Sequence, residues 1–173
     1  MALISTKLDG ANITTGTVNP LRMTSGSVIQ VQRVEITESH TYSTASTSYA
    51  STTVPLLNIT TKIANSLIYV TCNIPQQTSD TGSGIGGARI SHSLDSYASA
   101  IGETLSVNYL SGGNNGWKMN STLEGWHSPS VAAGTTITYD IMAKKHAGTH
   151  GMYAFDAWGK THKYQFVAME IAP

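Results

Sequence analysis

From residue 27 to the C-terminus the chain is a succession of short alternating runs. Between Ser27 and Thr37, Val28, Gln30, Gln32 and Val34 oppose Ile29, Val31, Arg33 and Glu35, and a period of two predicts a two-faced strand. Strands follow at 56–61 and 66–74, the second being the most apolar run and the best core candidate. Others are predicted at 88–94, 104–109, 117–126 and 135–143. In the last of these, Ile137, Tyr139 and Ile141 oppose Thr136, Thr138, Asp140 and Met142. Runs at 152–155 and 164–171 close the chain. Residues 42–55 are almost all Ser, Thr, Ala and Tyr and read as extended chain with a small-residue inner face. Residues 78–87 and 111–116 read as Gly-rich loops. About eight to ten short strands without a long helix predict an all-β sandwich or jelly roll around one core.

The first 26 residues break this pattern. Asp9-Gly-Ala-Asn-Ile-Thr-Thr-Gly-Thr-Val-Asn-Pro20 spreads its apolar residues between Gly, Asn and Thr, so no apolar face there is large enough to fold alone. The segment reads as an arm or stem that needs a partner, and its composition equally suits a disordered tail. The domain reading is therefore an arm at 1–26 and one sandwich at 27–173. No period of ~20–50 residues recurs, which excludes a solenoid or propeller.

Composition supports the strands and narrows the partners. Among 173 residues there are 23 Thr, 20 Ser and 16 Gly, and β-branched Thr favours strands. Charged residues are 12% of the chain, with 10 Lys+Arg against 10 Asp+Glu. A chain without a basic surplus is a poor ligand for phosphate backbones, so nucleic acid is not an expected partner. No apolar stretch reaches the ~18 residues that span a bilayer, so membrane insertion is not expected either. The first ten residues lack the basic start, apolar centre and cleavage site of an export signal. A hydroxyl-rich surface without a readable signal fits a protein assembled in a host cytoplasm and released by lysis, as virion proteins are. Cys72 is the lone cysteine, so no intrachain disulfide forms, and its apolar run predicts a buried, inert thiol.

Candidate chemistry is sparse. There is no Gly-Lys-Ser/Thr phosphate loop, Gly-x-Ser-x-Gly elbow or His-Glu-x-x-His. Gly82-Ser-Gly-Ile-Gly-Gly87 has no strand-to-helix context and reads as a turn. Asp140 and Asp156 are candidates for neighbouring strands, but nothing marks them as a glycosidase pair. The protein is expected to be no enzyme and to need no cofactor. His146 and His150 share a Gly-containing segment. Polar loop histidines are the plain reading, and imidazoles gathered by three copies around a threefold axis the metal-binding one. Trp117, Trp126, Asn114, Asn115 and His127 fall in a short Gly-rich region, where aromatic faces and polar side chains suit a sugar ring. Core or subunit-interface packing explains the same tryptophans.

Ser25-Gly-Ser-Val-Ile-Gln-Val-Gln32 resembles the opening strand of a jelly-roll domain common in phage tail fibres and other virion-surface proteins. Thr41-Tyr-Ser-Thr-Ala-Ser-Thr-Ser-Tyr49 matches its hydroxyl-rich second strand, Ala64-Asn-Ser-Leu-Ile-Tyr-Val70 its third segment and Val167-Ala-Met-Glu-Ile-Ala172 its last strand. The similarity spans about residues 25–173, clearest at both ends. It implies a tumour-necrosis-factor-like or complement-C1q-like sandwich that assembles as a homotrimer. Leu8 to Met23 resembles a fibre-stem repeat, with Asn19, Pro20 and Met23 departing from its commonest form. This implies an attachment arm carried by Ile13, Val18, Leu21, Arg22 and Met23, which would bind other virion proteins. The function so implied is a trimeric tail fibre taking part in recognition of a host surface glycan or protein. The alternative is a capsid decoration (cement) or head-fibre protein. A polysaccharide-degrading spike and a secreted lectin-like module are weakened by the scarce carboxylates and the missing signal.

Overall fold

The computed structural model describes residues 23–37, 42–44, 46–52, 54–78, 84–108, 118–147, 150–152 and 163–173. These residues form β1 (Val28–Ile36), β2 (Tyr42–Thr44), β3 (Ala50–Ser51), β4 (Leu57–Thr60), β5 (Leu67–Thr78), β6 (Gly84–His92), β7 (Gly102–Asn108), β8 (Lys118–His127), β9 (Thr136–Ala147), β10 (His150–Met152) and β11 (Tyr164–Ile171). A 3-10 turn, Ser93–Asp95, follows β6.

All pairings are antiparallel and fall into two sheets. In the first, β1 lies beside β11, β11 beside β5, and β8 on the far side of β5; short β10 and β2 continue from β5 beyond the end of β11. In the second, β3 and β4 share one flank of β9, followed by β6 and then β7. The main pairs are nested: β1 with β11, β4 with β9, β5 with β8 and β6 with β7. First pairs with last and the innermost two with each other, as when one long hairpin is rolled across two sheets. That nesting defines a jelly roll.

The core follows from the period of two. Ile68, Val70, Cys72 and Ile74 of β5, Leu123 of β8, and Phe166 and Ala168 of β11 point inward. They meet Leu57, Ile59, Ala88, Ile90, Ile137, Tyr139, Ile141 and Ala143 from the second sheet. Cys72 is fully buried, and burial pushes its thiol well above the ordinary range, in agreement with an inert sulfur.

One charged group is locked inside this frame. Glu170 is completely buried and accepts hydrogen bonds from the Lys62 and Ile63 backbone N–H groups (2.8 and 3.1 Å to Oε1), the Ser66 hydroxyl (2.8 Å) and Gln30 Nε2 (2.5 Å). A buried carboxylate is tolerated when its lone pairs are filled in this way. Glu170 thereby ties the 61–66 turn to β1 and β11. The acidic residue in the closing Met-Glu-Ile run is a structural bracket.

Several strand limits differ from the sequence reading: β5 runs on to Thr78 and β9 to Ala147, past the expected ends at 74 and 143. Gly84–Gly87, expected as loop, is the first part of β6, held between β7 and β9; two-sided ladder bonding outweighs the poor strand propensity of glycine. The strand expected to run to Leu94 ends at His92, where the 3-10 turn begins. Among the described residues of 42–55, the strands are the short β2 and β3, on different sheets. Phe155, expected in the strand at 152–155, lies outside the described residues.

Candidate functional site: the outer face of the first sheet

Alternation that fills the core also decides what the first sheet presents outward. The register aligns Val31 of β1 with Met169 of β11, Met169 with Tyr69 of β5, and Tyr69 with Trp126 of β8. Four large apolar or aromatic side chains thus cross the whole outer face in one row. Val31 is 52% exposed and Trp126 62%. Val28, Ile171 and Leu67 are aligned toward the end of the sheet, with Val28 also exposed. On the other side of the row, Val167 is aligned with Arg33 and Thr71. The result is an apolar patch spread over β1, β11 and the start of β5.

Toward β8 the same face changes character. The Trp126 and Tyr69 rings are 5.0 Å apart and tilted by 49°. The Tyr69 hydroxyl donates to Glu124 Oε2, and that carboxylate raises the Tyr69 pKa. Glu124 is aligned with Thr71, and Thr122 with Asn73; Thr122 Oγ1 donates to Asn73 Oδ1 at 2.8 Å. An exposed indole therefore heads a strip of hydrogen-bonding side chains that runs along β5 and β8.

The expected sugar-contact residues are only partly brought together. Trp126 is on this outer face, but His127 is the next residue on the same strand and points to the opposite face, as period two requires. It stacks on His92 with ring centroids 4.2 Å apart and takes the Tyr139 hydroxyl at 2.9 Å from Nδ1. Trp126 and His127 are therefore on opposite faces of β8. Asn114, Asn115 and Trp117 lie outside the described residues. Tyr69 and Glu124 were missed because their partners are set by strand register, which sequence spacing does not show. The visible signal was Glu124 two residues before Trp126, the spacing that puts both on one face.

The histidine pair forms a second polar cluster, between the sheets at one end of the sandwich. His92 is 8% exposed, with Nδ1 3.5 Å from Asp95 Oδ1 and Nε2 3.4 Å from Ser99 Oγ. Asp95 also accepts from the Ala98 and Ser99 backbone at 3.2 and 2.8 Å and from the Ser99 hydroxyl. These bonds hold Ser96 and Tyr97 at φ of 57° and 65°, where side chains other than glycine are strained. Ser99, His92 and Asp95 have the composition of a nucleophilic triad but different connections. The Ser99 hydroxyl donates its hydrogen bond to Asp95 Oδ2, whereas the nucleophile of a triad donates to the imidazole. Burial, and then the neighbouring His92, lower the His127 pKa to about 4. His127 is thereby held neutral.

His146 is placed near the end of β9 in the second sheet and His150 at the start of β10 in the first. Among the described residues, no group of three or more His, Cys, Asp or Glu side chains is gathered for a metal ion. Asp140 is buried on β9 and burial raises its pKa, while Asp156 lies outside the described residues. Of the arm residues, Ile13, Val18, Leu21 and Arg22 lie outside them too; Met23 is half-buried. No described helix is long and apolar enough to cross a membrane.

No protein-family model matches the chain, and no curated protein sequence matches it. Solved structures are similar in fold. The Eiger TNF from S. frugiperda aligns over 82% of this chain and 92% of its own, at 8% identity and a TM-score of 0.45. The T13 viral particle of IBDV aligns over 84% of this chain at 15% identity and a TM-score of 0.37. The VP2 subviral particle of infectious bursal disease virus aligns over 85% at 12% identity and 0.36. The chain spans 36% and 38% of the length of these two viral chains.

Proposed function

We propose that the protein is a non-enzymatic structural protein of a virion, a homotrimeric tail fibre whose jelly roll takes part in contact with the host surface. The observation that carries this reading is the contrast between the outer faces of the two sheets. One presents Val28 and Val31 exposed, with Val167, Met169, Ile171 and Leu67 half-buried beside them. The other exposes Asn58, Thr60 and Thr136, with Thr138 half-buried, and bonds them to each other: Thr60 to Thr136 at 2.8 Å, and Thr138 Oγ1 to Asn58 Oδ1 at 2.7 Å. A hydroxyl-bonded face is suited to water, whereas the apolar face gains by meeting its own kind. Ring closure by a rotation shared between copies gives a closed assembly, and a chain without formal net charge adds little repulsion. The Asp95–Ser99 bond, which draws the hydroxyl proton away from His92, supports a role without hydrolysis.

In this reading the arm at 1–26 binds other virion proteins, and the distal surface of the trimer meets the host. Gold labelling of this protein on intact particles tests it. Label at the tail supports the fibre; label over the head assigns a cement or head-fibre role; unlabelled particles remove the virion role.

A further inference from the structure

We propose that Trp126, Tyr69 and Glu124 form a binding site for neutral pyranose sugars, extended along the strands by Thr71, Asn73 and Thr122. This deepens the host-contact reading, and rests on it for where such a sugar would be met.

Four observations point to the ligand class. First, the Trp126 indole is 62% exposed on a strand rather than a mobile loop, and a flat aromatic face matches the apolar face of a pyranose. Second, Tyr69 lies 5.0 Å away at a tilt of 49° and forms a side wall. Third, Glu124 uses Oε2 for the Tyr69 hydroxyl, leaving Oε1 without a partner among the described residues. A carboxylate oxygen on a half-open face accepts from hydroxyl groups and repels acidic sugars. Fourth, Asn73 uses its carbonyl for Thr122 and leaves its amide donors without a partner among the described residues. Donor and acceptor therefore sit on one face beside an aromatic floor, as sugar hydroxyls require.

The dimensions suit a chain of sugars. From Trp126 back to Thr122 is four residues along β8, roughly 14 Å at strand rise, enough for more than one ring. The support is rigid: β8 pairs with β5 over ten positions, and its Gly125 is pressed against the Ile101 carbonyl. Three copies in one trimer would raise avidity without any new contact.

The test is Trp fluorescence and calorimetric titration of the full chain with maltohexaose, cellohexaose and mannohexaose, and with polygalacturonate as the acidic counterpart. Saturable binding of at least one neutral oligosaccharide is expected, with polygalacturonate weaker. Trp126→Ala should weaken it about tenfold or more, Trp126→Phe should keep part of it, and Glu124→Gln should weaken it about tenfold. Sedimentation must show each variant with the wild-type mass. Failure of all three neutral sugars, preference for polygalacturonate, or undiminished binding by Trp126→Ala overturns the proposal. So does dissociation of Trp126→Ala into single chains, which makes the indole an interface residue. A trimer that binds none of these sugars removes this site and leaves the virion reading standing; label absent from particles removes that reading and leaves the sugar site to its own titration.

Discussion

Gly102 of β7 and Gly125 of β8 lock the edges of the two sheets together. A Cβ on Gly102 would stand 2.3 Å from the Glu124 carbonyl oxygen, and one on Gly125 would stand 2.2 Å from that of Ile101. Both obstacles are backbone, so neither can swing aside. Gly102→Ala or Gly125→Ala is expected to cost about 1–3 kcal/mol or more, as overpacking does. Urea unfolding should show lower midpoints for both; a wild-type midpoint for either would mean that the sheets can part there at no cost.

The Glu170 bracket makes a second, larger prediction. Four donors point at this buried carboxylate from β1 and the 61–66 turn. Glu170→Ala leaves them unsatisfied, and Glu170→Gln turns an amide N–H₂ toward them. Each is expected to lower stability by about 3 kcal/mol. Chemical denaturation measures it, and a loss below ~1 kcal/mol for Glu170→Ala would show that water replaces the carboxylate.

Acid should weaken the fold through His127. Its imidazole takes a proton near pH 6.5 when unfolded but only near 4 when folded, held down first by burial and then by His92. The unfolded chain therefore binds more protons in this window, and stability falls as pH drops from about 6.5 to about 4. Asp140 acts with opposite sign, since burial raises its pKa and protonation relieves it. Asp95 has its pKa lowered, first by the Ser99 hydroxyl, so its stabilising contribution is lost only on further acidification. Thermal melts of wild type should fall across pH 6.5 to 4, and those of His127→Gln should be flatter. Equal slopes would exonerate His127.

Much of the fold was legible because a sandwich strand carries its instructions locally. The closing strand 164–171 is found with the same limits, and the cores of β1, β5 and β9 follow from alternation alone. Gly84–Gly87 was not legible, because what makes it a strand is ladder bonding on both sides by β7 and β9, far away in sequence. The site was legible only at Trp126. Pairing it with His127 followed proximity in sequence, where a strand demands opposite faces. Tyr69 lies 57 positions before Trp126 and meets it through the β5–β8 register. Likewise, the final Met-Glu-Ile run resembled a family signature before Glu170 gave it a physical reason.

The arm separates folding from attachment. The ordered pairing of β1 begins at Val28, opposite Ile171, so a chain lacking residues 1–24 is expected to fold with an unchanged far-UV spectrum. Its incorporation into particles should be lost. Normal incorporation would transfer attachment to the sandwich itself.

Trimer formation depends most on the apolar face of β1 and β11 being a contact between copies, and sedimentation equilibrium of the full chain tests that directly. At micromolar concentration the wild type should weigh about three chains. Val31→Glu combined with Met169→Glu, both on the outer row and outside the core, should weigh one chain while keeping its β-sheet spectrum. A monomeric wild type, or a folded double variant that still weighs three chains, contradicts the account.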